Sequence, residues 1–213
     1  YHFQHSIGFA GRLGKKKVLK QLRMASQSLT RTGAAPLPPE VMTWYRKLGL
    51  ELLEGYGMTE QFAFATTSMP GRSRIGYVGE PTPCTEVKLS DSGEILTRGP
   101  AHMQCYFKEP EKTRETMTDD GWLKTGDLGA FDEQGRLKIV GRAKEQFKTS
   151  KGKYVAPAPI EGKLSAFTKI EACMVSGVAF PQPFALAMLP AGSWAALRAP
   201  DARKAFTDEL AAH

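Results

Sequence analysis

The pattern of apolar and polar positions after residue 28 predicts a strand–helix–strand unit. Residues 29–32 read as a short strand and residues 33–36 as a turn of small residues. Apolar residues recur at helical spacing over residues 38–48, and Gly49 supplies a stop before a second buried strand at residues 50–53. Because such a crossover joins parallel strands, we expect the loops after the two strands at one edge of the sheet, where open α/β sheets bind ligands.

The pattern changes after residue 68 to short strands separated by turns. We expect strands at residues 76–79, 86–89 and 94–98, with Gly and Pro residues between them. Such spacing is typical of a compact antiparallel or barrel-like unit.

A hairpin is predicted further along the chain, because residues 128–131 and 136–140 flank the polar turn 132–135. Its open end carries Asp127 on one arm and Arg142 on the other. We therefore expect these two side chains to be neighbours.

The last third of the chain has a different character. It predicts a lysine-rich hairpin around Gly152, a helix that opens near residues 157–161, strands within residues 171–189 and a final helix near Asp201.

This change places a domain boundary at residues 142–145. The predicted fold class is a mixed α/β (α+β) fold. Residues 1–141 hold the end of a parallel α/β subdomain and a small β-barrel-like subdomain, and residues 142–213 form a small α+β domain.

Composition and charge narrow the classes of protein. The 213 residues carry 29 Lys and Arg against 22 Asp and Glu, and the net charge of +7 suits nucleic acid, a membrane surface or a polyphosphate ligand. No stretch approaches the roughly 20 apolar residues that span a bilayer, so only peripheral membrane contact stays open. Three widely spaced cysteines predict neither a disulfide framework nor a zinc site and indicate the cytoplasm. The start at Tyr1 leads us to expect a piece of a longer protein.

Residues 8–17, G-F-A-G-R-L-G-K-K-K, imitate a phosphate-binding loop but do not fit its pattern. Lys16 stands where a Ser or Thr would be needed to bind magnesium. We interpret the segment as a basic turn that leads into a helix near residues 18–24.

The string Glu54-Gly55-Tyr56-Gly57-Met58-Thr59-Glu60 carries the first candidate site. Tyr56 stands between two glycines and offers a flat ring on which a purine can stack. Thr59 can donate to a phosphate oxygen, and Glu60 can hold a divalent metal through its carboxylate. A tight turn with a core tyrosine and a capping Thr/Glu pair explains the same residues.

Asp127, which follows Thr125-Gly126, is the second candidate. Its carboxylate can accept hydrogen bonds from both hydroxyls of a ribose, and Arg142 can reinforce it from the opposite arm of the hairpin. An ordinary Asp–Arg pair that closes the hairpin mouth is the alternative.

A cationic segment follows, formed by Lys144, Lys148, Lys151 and Lys153 around Gly152. It suits a second substrate that bears phosphate groups. Lysines that protect the edge of a solvated hairpin explain it equally well.

Taken in order, these strings resemble the AMP-dependent synthetase/ligases of the adenylate-forming superfamily. The linker at residues 148–157 resembles that of bacterial long-chain fatty acyl-CoA synthetases, of which this chain would be a C-terminal-half fragment. The matching segments are Thr32-Gly33-Ala34-Ala35-Pro36, residues 54–60, Gly93-Glu94-Ile95, Gly99-Pro100, Gly121-Trp122, Thr125-Gly126-Asp127, Gly141-Arg142 and Val155-Ala156-Pro157.

The resemblance implies a two-step reaction. A carboxylic acid, here a fatty acid, attacks the α-phosphate of ATP, pyrophosphate leaves, and the thiol of coenzyme A captures the acyl-adenylate. ATP or AMP, Mg²⁺ and coenzyme A are the implied cofactors and substrates, and no nucleic acid is expected as a partner.

The resemblance also implies a role for the residues of the first candidate site. Gly33 and Ala34 border the adenine, Tyr56 stacks on it within the string of residues 54–58, Thr59 meets the phosphate, and Glu60 holds Mg²⁺.

The remaining roles fall in the second candidate site and beyond it. Asp127 and Arg142 take the ribose, Lys144 is the hinge at which the small domain swings between the half-reactions, and Lys148 and Gly152 line the coenzyme A side.

Two departures from the family pattern limit what this chain is expected to do. The Ser/Thr/Gly-rich loop ending in Pro-Lys-Gly, which cradles the triphosphate in the family, does not occur in the 213 residues. The near-terminal lysine that assists adenylation is also missing before His213. We expect the chain by itself to bind AMP weakly without turning over.

Two alternatives stay open. The chain can belong to an adenylation enzyme that loads a carrier protein rather than coenzyme A. A non-catalytic nucleotide-binding or basic nucleic-acid-binding module is the rival from another class, although aromatic residues are scarce among the lysines and no nucleic-acid-binding motif is visible.

Overall fold

The computed structural model describes residues 12–24, 26, 29–34 and 37–212. The chain divides into two compact units. The first contains Tyr1–Lys88, Leu96–Lys124 and Phe131–Lys138, and the second contains Leu89–Ile95, Thr125–Ala130 and Ile139–His213.

A four-stranded sheet of order β1-β2-β3-β4 organises the start of the first unit. Its strands are β1 (Thr30–Thr32), β2 (Leu52–Tyr56), β3 (Thr66–Thr67) and β4 (Glu80–Pro81), and the helices of this unit are α1 (Arg12–Gln21), α2 (Pro39–Leu48) and α3 (Pro110–Thr116). β1 pairs parallel to β2, with Thr32 opposite Glu54, while β2, β3 and β4 pair antiparallel. The predicted parallel crossover is confirmed.

A second four-stranded sheet follows in the order β5-β6-β7-β8. Its strands are β5 (Glu86–Leu89), β6 (Glu94–Arg98), β7 (Leu123–Phe131) and β8 (Leu137–Arg142). The hairpin predicted around residues 132–135 is therefore confirmed as β7 and β8.

The described residues from 143 to 212, which belong to the second unit, form two hairpins and three α-helices. β9 (Phe147–Lys148) pairs antiparallel with β10 (Tyr154–Val155), and β11 (Ala172–Ser176) pairs antiparallel with β12 (Phe184–Met188). The helices are α4 (Pro157–Ser165), α5 (Ser193–Ala196) and α6 (Pro200–Ala212). α4 packs on β11, where the Glu161 carboxylate accepts the N–H of Val175 at 2.8 Å.

The core of the α2–β2 region explains the predicted helix stop. Met42, Leu50 and Leu52 are buried together, and Leu19 and Tyr45 pack against them. Gly49 has φ +91° and its N–H donates to Arg46, so a residue without a side chain ends the helix as expected.

The second strand begins later than predicted, at Leu52 rather than at residue 50. The N–H of Leu50 donates to the carbonyl of Tyr45 at 3.0 Å. Leu50 therefore completes the helix cap while its side chain enters the core, and a run of buried apolar residues does not separate these two roles.

The interpretation of residues 12–17 as a basic turn is wrong. These residues form the first part of α1, which ends at Gln21 rather than at residue 24. Lysine is a good helix former, and Leu19 supplies an apolar anchor against the α2 core. The start of the loop-like string, residues 8–11, lies outside the described residues.

The predicted strand at residues 76–79 is also wrong. Gly76 and Gly79 both have positive φ, which breaks an extended run. The segment is nevertheless held, because the N–H of Val78 donates to Leu137 and the N–H of Leu137 donates to Gly79, both at 2.8 Å.

No helix in the described part of the chain is long and apolar enough to cross a bilayer. The domain boundary at residues 142–145 stays a prediction.

Candidate functional site

The loops after β1 and β2 emerge side by side. A Cβ placed on Gly33 would stand 3.4 Å from the carbonyl oxygen of Gly55. Ala34 follows with φ +69°, and residues 35 and 36 of the predicted turn lie outside the described residues. The expectation that these loops share one sheet edge is confirmed.

Glu54 places a carboxyl group inside this edge. It is 6% exposed, and its Oε1 accepts the N–H of Leu37 at 3.4 Å. Burial raises the pKa of Glu54, and the Leu37 N–H opposes that rise only in part.

The turn that carries Tyr56 is folded back on itself. The N–H of Ala63 donates to the carbonyl of Met58 at 2.8 Å, and Phe62 and Ala63 both have left-handed backbones. A Cβ on Gly57 would lie 2.4 Å from the carbonyl carbon of Ala63. Only glycine fits at position 57. The half-buried ring of Tyr56 is therefore followed by a residue that has no side chain.

Thr59 and Glu60 lie in a short 3₁₀ helix, Thr59–Gln61. Thr59 is exposed, whereas Glu60 is half-buried and is held twice. Its Oε1 accepts the hydroxyl of Tyr106 at 2.6 Å, and its backbone carbonyl accepts the N–H of Met103 at 2.7 Å. The hydrogen bond to Glu60 is the main cause that raises the pKa of the Tyr106 hydroxyl.

The contact of Tyr106 with Glu60 was not predicted from the sequence. It lies 46 residues beyond Glu60, so no local spacing links the two side chains. The nearest signal in the sequence is the Gly99-Pro100 segment, which matches the family pattern shortly before Tyr106. That match does not show what the side chain of Tyr106 contacts.

Two further side chains with buried polar atoms were missed. Gln61 is 1% exposed, and among the described residues neither its amide oxygen nor its amide nitrogen has a hydrogen-bond partner. The Nε2 of His102 is likewise buried without a described partner, and burial lowers the pKa of His102.

Asp127 and Arg142 are neighbours, as predicted. Asp127 is 7% exposed on β7, and its Oδ1 lies 3.0 Å from the Nε of Arg142 at the end of β8. The Arg142 side chain is 60% exposed, so its charge is screened by water on one side.

The backbone that carries the Asp127 carboxylate is held by a short relay of hydrogen bonds. The Thr125 hydroxyl donates to the carbonyl of Ile95 at 2.8 Å and accepts the N–H of Asp127 at 3.2 Å. The N–H of Gly126 donates to Glu94 at 2.8 Å. The residues of the Thr-Gly-Asp string therefore build a fixed strand segment, with a role for Thr125 that spacing did not reveal.

The cationic segment lies in the second unit. Lys144 is exposed in the 3₁₀ helix Ala143–Glu145. Lys148 lies on β9 with its Nζ 5.4 Å from the ring centroid of Tyr154, and Gly152 lies in the turn, where its N–H donates to Thr149 at 2.9 Å. The predicted hairpin around Gly152 is confirmed.

The residues present fit a Mg²⁺ ion that takes one carboxylate from the protein and its other ligands from water and substrate phosphates. No group of three or more His, Cys, Asp or Glu residues that could hold a metal occurs among the described residues. Mg²⁺ commonly takes one or two carboxylates and completes its shell with water and substrate phosphates. The Glu60 carboxylate matches that donor set, and the neighbouring Thr59 carries a hydroxyl that could donate a hydrogen bond to a phosphate oxygen.

The known proteins that this chain resembles are AMP-binding enzymes and acyl-CoA ligases. A family model described as AMP-binding enzyme matches residues 5–107. Human long-chain-fatty-acid–CoA ligase 6 is 44% identical over 142 residues, which cover 61% of this chain and 20% of that protein. The peroxisomal long chain acyl-CoA synthetase 7 of Arabidopsis thaliana is 40% identical over 164 residues, covering 70% of this chain and 23% of that protein.

Solved structures agree with the fold. The o-succinylbenzoate CoA synthetase of Bacillus subtilis, in complex with its acyl-adenylate intermediate, has a TM-score of 0.73 at 27% identity and covers 84% of this chain and 40% of its own. The same enzyme in complex with ATP and a magnesium ion has a TM-score of 0.68 at 25% identity and covers 85% of this chain and 41% of its own.

The chain belongs to the AMP-binding, adenylate-forming enzyme superfamily, and its mixed α/β fold is the one predicted. It spans about a fifth of the length of the curated relatives that it matches.

Proposed function

We propose that this chain is the nucleotide-binding and hinge portion of an AMP-forming acid–CoA ligase. The enzyme joins ATP and a carboxylic acid, of which a fatty acid is the favoured class, and transfers the acyl group from the adenylate to coenzyme A. The fatty-acid preference is supported by the identity to long-chain-fatty-acid–CoA ligases. The observation that carries the proposal is the Asp127–Arg142 pair, found where the resemblance requires ribose contacts.

The proposed nucleotide contacts follow from chemistry at each position. The ring of Tyr56 stacks on the adenine, with Gly33 and Ala34 at its border. The Thr59 hydroxyl donates to a phosphate oxygen, and Asp127 accepts hydrogen bonds from the ribose hydroxyls. A carboxylate fixed by its own backbone and by Arg142 loses little conformational freedom on binding.

Glu60 is the proposed Mg²⁺ ligand. Glu60 would hold the ion through its carboxylate, and the ion would supply positive charge that offsets the charge of the phosphates. Thr59 and Glu60 are adjacent on one 3₁₀ turn, so a single local structure presents both groups. This arrangement supports their assignment as catalytic residues.

Lys144 is the proposed hinge, and Lys148 and Gly152 the proposed coenzyme A side. Lys144 lies exposed in a single 3₁₀ turn directly after β8, a position at which few backbone bonds resist rotation. The enzyme is assigned to the cytoplasm, which the free thiols of Cys84, Cys105 and Cys173 support.

A pyrophosphate-exchange assay on the longer enzyme, with acids of graded chain length, tests this function. We expect exchange that depends on ATP and acid, acyl-CoA formation with free coenzyme A, and loss of exchange in Glu60→Gln. Acylation of a carrier protein with no acyl-CoA would establish the carrier-loading alternative instead. The 213-residue chain itself is expected to bind AMP without catalysing exchange.

A further inference from the structure

The hydrogen bond from Tyr106 to Glu60 is distinct from ordinary packing. The donor is a phenol hydroxyl, the acceptor is one oxygen of a half-buried carboxylate, and the distance is 2.6 Å. Hydrogen bonds to a charged acceptor are shorter and stronger than neutral ones. A carboxylate has four lone-pair positions on two oxygens, so this bond occupies one side of Glu60 and leaves Oε2 for another partner.

Tyr106 is itself held in place by its own segment. Its backbone N–H donates to the Thr113 hydroxyl at 2.9 Å, and that hydroxyl donates to the carbonyl of Glu109 at 3.0 Å. The N–H of Glu109 returns to the carbonyl of Tyr106 at 3.2 Å. The start of α3 thus fixes the backbone that presents the phenol.

The segment is also tied to Glu60 through the main chain. The N–H of Met103 donates to the carbonyl of Glu60 at 2.7 Å. In addition, the Nζ of Lys112 lies 4.4 Å from the centroid of the Tyr106 ring, a cation–π contact that helps to hold the ring in place. Backbone and side chain therefore both set the position of the Glu60 carboxylate.

We propose that Tyr106 is a positioning residue for Glu60. Its hydroxyl holds Oε1 of Glu60, and the carboxylate is thereby oriented to bind a divalent cation through Oε2. This inference rests on the proposed function only in that Glu60 is the metal ligand. Partners that hydrogen-bond to a metal-ligating group orient it, and their loss costs about 10- to 100-fold in metal affinity.

The test measures metal binding directly on the 213-residue chain. Mn²⁺ is titrated into the chain saturated with AMP, and free Mn²⁺ is followed by its electron paramagnetic resonance signal. The variants are Tyr106→Phe, which removes only the hydroxyl, Glu60→Gln, which removes the ligand charge, and Tyr77→Phe as the matched control. Tyr77 stacks with Arg74 at 4.5 Å from its ring and serves a different part of the first unit.

We expect the Mn²⁺ dissociation constant to rise about tenfold in Tyr106→Phe, to rise further in Glu60→Gln and to stay at the wild-type value in Tyr77→Phe. AMP affinity measured without metal should be equal in the wild type and Tyr106→Phe. A general loss of structure in the variant would instead weaken the binding of both AMP and Mn²⁺. A wild-type Mn²⁺ affinity in Tyr106→Phe, with Glu60→Gln impaired, would overturn the proposal and leave the proposed function standing. No effect of Glu60→Gln would overturn both.

A second readout needs no ligand. In a chain labelled with ¹³C at the glutamate carboxyl carbons, the resonance that disappears in Glu60→Gln should shift in Tyr106→Phe and not in Tyr77→Phe. An unshifted Glu60 resonance would show that the phenol does not contact the carboxylate and would overturn the proposal.

Discussion

The turn at residues 56–63 and the hairpin mouth at Asp127 are built by different forces. In the turn, backbone contacts decide the shape, because Gly57 faces the Ala63 main chain with no room for a Cβ. In the hairpin mouth, side chains decide the shape, through Thr125 and the Asp127–Arg142 pair. A sterically built site should fail abruptly when an atom is added, whereas a hydrogen-bonded site should weaken in steps as partners are removed.

The largest effect is expected for Gly57→Ala. The added methyl group would meet the Ala63 carbonyl carbon at 2.4 Å, so the turn must open. We expect the free energy of unfolding to fall by about 2–3 kcal/mol, with loss of detectable AMP binding. Chemical denaturation and calorimetric titration measure the two changes.

Gly162→Ala is the matched control for that substitution. Gly162 lies in α4 with open space around the position of a Cβ, and its substitution should stabilise the chain by about 0.5–1 kcal/mol. Equal behaviour of the two variants would contradict a steric origin of the turn.

The next effect is expected for Thr125→Val. The substitution keeps the shape but removes the hydroxyl that donates to the carbonyl of Ile95 and accepts the N–H of Asp127. We expect a loss of about 1–3 kcal/mol in the free energy of unfolding and weaker AMP binding. Thr168→Val, at an exposed position, should change neither quantity. An unaltered Thr125→Val protein would show that the hairpin mouth does not depend on this relay.

In both regions, the geometry that depends on local strand connections could be predicted from the sequence. Proximity of Asp127 to Arg142 follows from hairpin geometry, since strand pairing places both ends of a hairpin together. The parallel edge that joins Gly33 to Gly55 follows equally from the crossover rule.

Contacts between distant segments were beyond sequence reasoning. Tyr106 reaches Glu60 only because the chain after β6 returns to the turn, and the helix at Arg12–Gln21 exists partly because Leu19 meets a core formed later in the chain. Local spacing predicts local geometry, and tertiary packing supplies the rest.

A smaller effect on stability is expected for Arg142→Gln. The side chain is 60% exposed, so its ion pair with Asp127 contributes at most about 1 kcal/mol. AMP binding should nevertheless weaken, because Asp127, the proposed acceptor for the ribose hydroxyls, loses its charged partner. Raising the salt concentration should weaken AMP binding to the wild type more than to Arg142→Gln. A large loss of stability without any change in AMP affinity would contradict this prediction and show that Arg142 supports the fold rather than AMP binding.

The smallest effect is a change in pH dependence for Glu54→Gln. Burial raises the pKa of Glu54 in the folded state above its value in the unfolded state. The folded chain therefore binds this proton more tightly, and stability falls as the pH rises from the unfolded pKa through the folded pKa. Glu54→Gln should remove that decline and be more stable than the wild type at neutral pH. Melting temperatures measured from pH 4 to 8 check this, and parallel curves for the two proteins would contradict it.

The two proposed AMP contacts, the ring of Tyr56 and the carboxylate of Asp127, are tested most directly by titrating AMP and 2′-deoxy-AMP into the wild type, Tyr56→Leu and Asp127→Asn. We expect the wild type to prefer AMP and Asp127→Asn to bind both ligands weakly and equally. Tyr56→Leu should bind both ligands more weakly than the wild type while keeping the preference for AMP. Equal binding of the two ligands by the wild type, or AMP affinity that neither substitution changes, would contradict these proposed contacts.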